Sequence, residues 1–167
     1  MAERLILTGF MGVGKTTITT KTADRLDLPH YDTDEHLEAS GHDIPALVKN
    51  NIDEFRKLEA EALLDLLDEY RYGVISTGGG IVSTAMGRNA LRSSQVPVVW
   101  LDAPFDVLKE RVKHDTGRER PLFKDEVFAK NLYDTRKPWY RNTSTDRVDA
   151  DRDIEPIVTD IAAIALR

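Results

Sequence analysis

Apolar residues along the chain fall into two alternating kinds of pattern. Short continuous runs occur at 4–8 (RLILT), 72–76 (YGVIS) and 96–101 (VPVVWL), with weaker candidates at 30–32 (HYD) and 146–150 (DRVDA). Runs of that length suit strands buried on both faces of a parallel sheet. Between them the apolar spacing is helical. The clearest case is 54–70, where Phe55, Leu58, Ala62, Leu63, Leu66, Leu67 and Tyr70 follow i, i+3, i+4, i+7. Segments 16–26, 84–92, 105–113 and 154–166 read as further helices. A strand and a helix thus alternate along the whole chain. That order predicts an α/β fold, an open and mainly parallel sheet of about five strands with helices on both faces.

Composition narrows the picture. A chain of 167 residues favours one domain, spanning 1–167, and 41% hydrophobic residues suffice for its core. Cys is absent, which excludes disulfides and Cys-based metal sites. No apolar run approaches the roughly 20 residues that cross a bilayer, and Gly and Lys interrupt the N-terminus where a signal peptide would continue. We therefore expect a soluble, cytoplasmic protein without a membrane partner. A net charge of −6 weighs against a nucleic-acid partner. Seven of the 23 Lys and Arg lie between positions 118 and 141; on charge alone a solvated face accounts for them. The stretch 114–126 (HDTGRERPLFKDE) is polar and broken by Gly and Pro, and is the expected mobile segment.

Chemistry enters at 9–17 (GFMGVGKTT), which fits G-x-x-x-x-G-K-[ST] with Gly9, Gly14, Lys15 and Thr16. A strand precedes it and a helix follows, the context in which the motif is meaningful. Glycines let successive N–H groups face one concavity, and the helix adds its positive end. Lys15 would reach the outer phosphates and the Thr16 hydroxyl would ligate Mg²⁺, so a nucleoside triphosphate site is the first conclusion.

What receives the phosphate is written elsewhere in the chain. Asp32 and Asp34 stand one residue apart in YDTDEH, and two like charges held together call for a cation or a polar ligand. Thr77 is followed by Gly78, Gly79 and Gly80, three glycines after a strand, which either make a plain turn or let the backbone approach a ligand. Asp102 ends the VVWLD run and is either a magnesium-associated carboxylate or a cap or turn residue. Arg56, with Glu59 three residues on, opens the 54–70 helix, and Arg136 lies in LYDTRKPWYR; taken singly, both arginines read as surface residues. The N-K-x-D of GTPases does not occur.

Taken in order, GFMGVGKTT, DTD, FRKLE, STGGG, RERPLF and TRKPWY resemble the shikimate kinase family over nearly the whole chain. The resemblance implies a P-loop kinase that moves the γ-phosphoryl of ATP to the 3-hydroxyl of shikimate, with Mg²⁺. It implies that Gly12, Val13, Gly14, Lys15, Thr16 and Thr17 wrap the phosphates, and that Thr16 and Asp32 serve the metal. Asp34 would bind the acceptor hydroxyls and be the candidate base. Arg56 and Arg136 would grip the acceptor carboxylate, beside the backbone of Gly78, Gly79 and Gly80. Arg120 would act from a lid at about 114–126, Arg111 would stack on adenine, and Arg152 would belong to the adenine loop. Helices over about 33–62 would bind the acceptor, and the enzyme is expected to be a monomer. Asn51-Ile52, Asn142-Thr143-Ser144 and Trp139 depart from the family pattern. Two other readings stay open, a kinase for another polyol acid such as gluconate and a nucleotide-binding regulatory domain without chemistry.

Overall fold

The computed structural model describes residues 2–115 and 123–167. Five strands, β1 (Arg4–Thr8), β2 (His30–Asp32), β3 (Gly73–Ser76), β4 (Val98–Asp102) and β5 (Asp146–Asp149), form one all-parallel sheet in the order β2-β3-β1-β4-β5. The continuous apolar runs are the inner strands. Leu5, Ile6 and Leu7 of β1 and all of β3 and β4 are buried, whereas the edge strands are not: β2 has no buried residue and β5 buries only Val148. Leu5 stands opposite Val74 of β3, and Leu7 opposite Val99 of β4.

The helices are α1 (Lys15–Leu26), α2 (Thr33–Ala39), α3 (Ile44–Asn50), α4 (Ile52–Glu69), α5 (Ala85–Ser93), α6 (Phe105–His114), α7 (Glu126–Thr143) and α8 (Ile154–Ala165), with a 3₁₀ turn at Gly79–Ser83. α1 packs against α8, while α4, α5 and α7 pack around the 3₁₀ turn. Right-handed crossovers place these two groups on opposite faces of the sheet. Among the described residues no helix is long and apolar enough to cross a membrane.

The expected α/β alternation and parallel sheet are present, and every expected strand and helix is found to within about two residues. The region 33–62 contains α2, α3 and the first part of α4. The unexpected element is α7. Its buried row is Ala129, Tyr133, Arg136, Tyr140 and Thr143, so polar groups stand where an apolar stripe would announce a helix. Val127 and Phe128, its conspicuous apolar residues, are exposed, and Pro138 lies inside it.

The sheet order creates the crevice. β1 and β3 are neighbours, yet the chain leaves β1 through α1 on one face and β3 through α5 on the other. The loops beyond their C-terminal ends diverge, and ligands of open α/β sheets bind in such a gap. The P-loop and the triple glycine are those two loops.

Candidate active site

The first wall is the P-loop. Gly14 sits in the left-handed region (φ 95°) and caps α1, and Gly12 (φ 86°) is also left-handed. A Cβ at Gly12 would come within 2.9 Å of Val112 on α6, so the loop lies close against that helix. The first turn of α1 carries no acidic residue, and its positive end stays available to an anion. Lys15 folds over the loop, its Nζ donating to the Gly9 carbonyl at 2.5 Å and the Phe10 carbonyl at 3.2 Å. A cavity of about 380 Å³ opens here. Met11, Gly12, Gly14, Lys15, Thr16 and Thr17 line one side, and Asp32, Asp34, Ser76, Thr77, Gly78 and Gly79 line the other. Val13 is buried beneath the loop.

The second wall is the DTD turn. The Asp32 side chain caps α2, its Oδ1 accepting from the N–H of Asp34 (2.8 Å) and of Glu35 (3.1 Å). That bond fixes the turn which carries Asp34. Thr33, between the two acids, is fully buried, and its hydroxyl accepts from the Gly78 N–H at 3.2 Å. The DTD turn is thereby tied to the triple glycine.

The glycines prove to be close-approach positions. At Gly78 a Cβ would lie 2.0 Å from Glu59 Oε2 and 3.5 Å from Asp34 Oδ1, and at Gly80 it would lie 1.9 Å from Arg56 Nη1. Any larger residue at either position would displace a charged side chain of the site. The plain-turn reading of these glycines fails for that reason.

Arg56 and Glu59 face the same spot from α4. Arg56 Nη1 donates to Glu59 Oε1 at 3.1 Å, and Glu59 is 1% exposed. Burial raises the Glu59 pKa to about 7, with the nearby Asp34 carboxylate adding to the rise while Arg56 and Arg136 oppose it. This group therefore stabilises the fold fully below its ordinary value of 4.5, and the contribution is lost as pH rises through about 7. The cost of ionising it in place is on the order of 3 kcal/mol. Glu59→Gln should abolish that dependence, so that thermal unfolding between pH 4.5 and 7 shows a declining Tm for the unsubstituted protein relative to the variant. Parallel curves would remove Glu59 from the account.

Arg136 reaches the site from the buried face of α7 and is 2% exposed. Its guanidinium lies over the Phe10 ring of the P-loop at 5.6 Å, and Phe10 packs edge-on against Tyr133 one turn earlier in α7. Burial is the main influence lowering the Arg136 pKa, with the Arg56 charge acting in the same direction. Among the described residues Arg136 Nε meets no hydrogen-bond acceptor. A buried cation with an unsatisfied donor is costly unless an anion completes it. Beside the phosphate cradle there is therefore a buried guanidinium with a donor left over.

Other expected residues fall outside this cluster. Arg111 donates to the Val13 carbonyl (3.2 Å) and the Ala150 carbonyl (2.8 Å), linking the P-loop to the loop after β5. Arg152 donates to the Asp149 carbonyl (2.9 Å) and pairs with Asp160 of α8 (2.7 Å). Arg120 and most of the expected lid at 114–126 lie outside the described residues. Asp102 pairs with Arg147 of β5 at 2.7 Å, which gives it a structural task between neighbouring strands. Residues that the sequence did not single out also line the cavity, namely Met11, Ser76 and Asp115. Each lay in a stretch already marked, Met11 in the P-loop motif, Ser76 at the start of STGGG and Asp115 at the start of the 114–126 segment, but nothing local picked out the residue itself.

The three departures prove to be local packing and helix-end chemistry. Asn51 caps α4, its Oδ1 accepting from the Glu54 N–H at 3.2 Å. Thr143 and Ser144 turn their hydroxyls onto the Trp139 and Tyr140 carbonyls at the end of α7. Trp139 faces α5, with the Arg88 guanidinium 4.6 Å above its ring.

Comparison with known proteins agrees with this geometry. The family model described as shikimate kinase matches residues 11–165. The shikimate kinase of Enterococcus faecalis is 36% identical over 164 residues, which are 95% of this chain and 96% of that protein. The structure of the Acinetobacter baumannii shikimate kinase in complex with shikimate superposes with a TM-score of 0.86 at 27% identity, covering 99% of this chain and 94% of that one. A gluconokinase from Sinorhizobium meliloti shares the fold alone, with a TM-score of 0.67 at 20% identity over 99% of this chain and 93% of the other. With a P-loop at the C-terminal edge of its parallel sheet and a family match that spans nearly all its length, this chain belongs to the shikimate kinase family.

Proposed function

We propose that the chain transfers the γ-phosphoryl of ATP to the 3-hydroxyl of shikimate, in the cytoplasm, as a step toward aromatic amino acids. The observation that carries the acidic acceptor is the buried Arg136 with its unsatisfied Nε, set beside Arg56 and the glycine loop. A guanidinium pair suits a planar carboxylate, which accepts two parallel hydrogen bonds. Asp34, held by the capped DTD turn on the cavity wall, is placed to bind and orient an acceptor hydroxyl. Phosphoryl transfer spreads charge over the equatorial oxygens of a loose transition state, so positioning and electrostatics dominate. Lys15 and the N-terminal end of α1 supply positive potential at the phosphates, while Asp34, Arg56 and Arg136 hold the alcohol in line.

Thr16 and Asp32 suit Mg²⁺. Both line the cavity and both offer oxygen, the donor that a hard cation takes. Among the described residues no group of three His, Cys, Asp or Glu could hold a metal alone. Magnesium in kinases is held by one or two protein oxygens together with substrate phosphates, which fits so sparse a set. When bound, it would neutralise charge on the phosphate oxygens.

The test is ADP release from ATP with and without shikimate, with gluconate as a parallel acceptor. Shikimate should raise turnover by at least about 10²-fold over the basal hydrolysis that water supports. Equal stimulation by gluconate would transfer the assignment to another polyol-acid kinase. No stimulation by either would leave a nucleotide-binding module.

A further inference from the structure

Tyr140 has no part in the chemistry described so far, yet it is among the largest fully buried side chains of the molecule. It lies one helical turn beyond Arg136 on the same face of α7, the i, i+4 relation that stacks two side chains along a helix. Its hydroxyl donates to the Gly79 carbonyl at 2.5 Å. Its ring stacks on Trp100 of β4, with centroids 6.0 Å apart and planes 16° from parallel. Burial raises the Tyr140 pKa to about 12 while the Arg136 guanidinium, close enough to bond the phenol oxygen, opposes the rise; the phenol keeps its proton, remains a donor to Gly79 and also touches Arg136 directly.

Gly79 is the glycine of the triple that does not make room for a charged side chain. A Cβ there would lie 3.2 Å from the Gly9 carbonyl, 3.5 Å from the Met11 N and 3.5 Å from the Tyr140 hydroxyl. The segment is thus wedged between the P-loop and α7, and Tyr140 holds it from the α7 side. Because the peptide unit is planar, fixing the Gly79 carbonyl also fixes the Gly80 N–H on the opposite side of the same plane. Gly80 is the position pressed against Arg56.

We propose that Tyr140 is a positioning residue for the acceptor site. Its hydroxyl locks the glycine loop to the helix that carries Arg136, so that the two halves of the acidic-acceptor receptor, Arg56 with the glycines and Arg136, are held at one spacing. Without that bond the glycine loop loses this tie to α7, and the two guanidinium groups lose a fixed point of their separation. ATP would be cradled by the P-loop and α1, whose amides and helix end do not depend on the Tyr140 hydroxyl for their own geometry. The inference rests on the reading of Arg56 and Arg136 as the acceptor side.

Tyr140→Phe removes only the hydroxyl and keeps the ring on Trp100. In steady-state assays it should raise the shikimate KM about 5- to 20-fold, the size of one lost buried hydrogen bond, with the ATP KM within about twofold and kcat within about threefold. Trp100→Phe is the companion, weakening the stack while leaving the hydroxyl in place. It should lower Tm and leave the shikimate KM unchanged, whereas a purely structural Tyr140 would make both variants alike, with lower Tm and ordinary KM values. An unchanged shikimate KM in Tyr140→Phe, or an equal rise in both KM values, overturns the proposal. Shikimate-dependent turnover by the unsubstituted protein is measured alongside. If that is absent, the acceptor reading has failed; if it is present and the KM stays put, only the role of Tyr140 has.

Discussion

Lys15→Ala is expected to lower kcat by about 10³-fold or more, the scale on which removing a cation from a phosphoryl-transfer site acts. The side chain lines the cavity and reaches across the P-loop to the Gly9 and Phe10 carbonyls, so its ammonium already sits at the mouth of the cradle. Both the transferred group and the departing ADP gain charge exposure in the transition state, and a loop of neutral amides cannot replace a full positive charge there. The fold should survive, because Lys15 is half-buried and contributes no apolar packing to the core. Circular dichroism and Tm should therefore match those of the unsubstituted protein while turnover collapses. A kcat within about tenfold of the original would remove Lys15 from the transition state and leave it a binding residue.

Arg136→Met is expected to act on the other substrate. Methionine fills a comparable volume, so the buried row of α7 is kept without a large cavity. What is lost is the buried guanidinium proposed to hold the acceptor carboxylate. The shikimate KM should rise about 10²-fold, the size of a charge-assisted bidentate contact, with the ATP KM within about twofold. The loss of charge also unbalances the pocket, since Glu59, beside Asp34, would lose one of the two arginines that oppose its rise. A second signature follows from that. With one opposing cation gone, the Glu59 pKa should rise further, and the pH at which stability is lost should move upward. An unaltered shikimate KM would contradict the receptor assigned to this helix.

The departures from the family pattern have a simple consequence for specificity. Asn51, Thr143 and Ser144 satisfy backbone groups at helix ends, and Trp139 packs under Arg88 on α5. None of them lines the cavity beside the P-loop. Their contacts are at the ends of α4 and α7 and against α5, so on the proposed reading they leave the acceptor's charged partners unchanged. The rival reading of Asp102 as a metal carboxylate gives way for a similar reason, because Arg147 pairs with it at 2.7 Å.

Much of the molecule was legible from residue order. Continuous apolar runs betray inner strands because a strand covered on both faces has no polar side, and β1, β3 and β4 obey that rule. The P-loop is recognisable because its chemistry is local: glycines, a lysine and a hydroxyl act within one turn of backbone. The DTD pair and Arg56 with Glu59 were readable for the same reason, their partners standing two or three residues away. α7 was illegible because the face that it buries carries polar and charged groups. Arg136 and Thr143 interrupt the apolar period, and the pattern is weakest where the helix does most.

Sequence by itself determined the alternation of strands and helices, the phosphate cradle and the kinds of side chain available to an acceptor. Tertiary structure alone decided that Arg136 is buried with an unsatisfied Nε, that Gly78 and Gly80 make room for Glu59 and Arg56, and that Tyr140 ties α7 to Gly79 across 61 positions of chain. The division has a physical cause. Local chemistry depends on spacing along the backbone, whereas burial, close approach and perturbed ionisation depend on groups that meet only when a parallel sheet, with its distant crossovers, has closed.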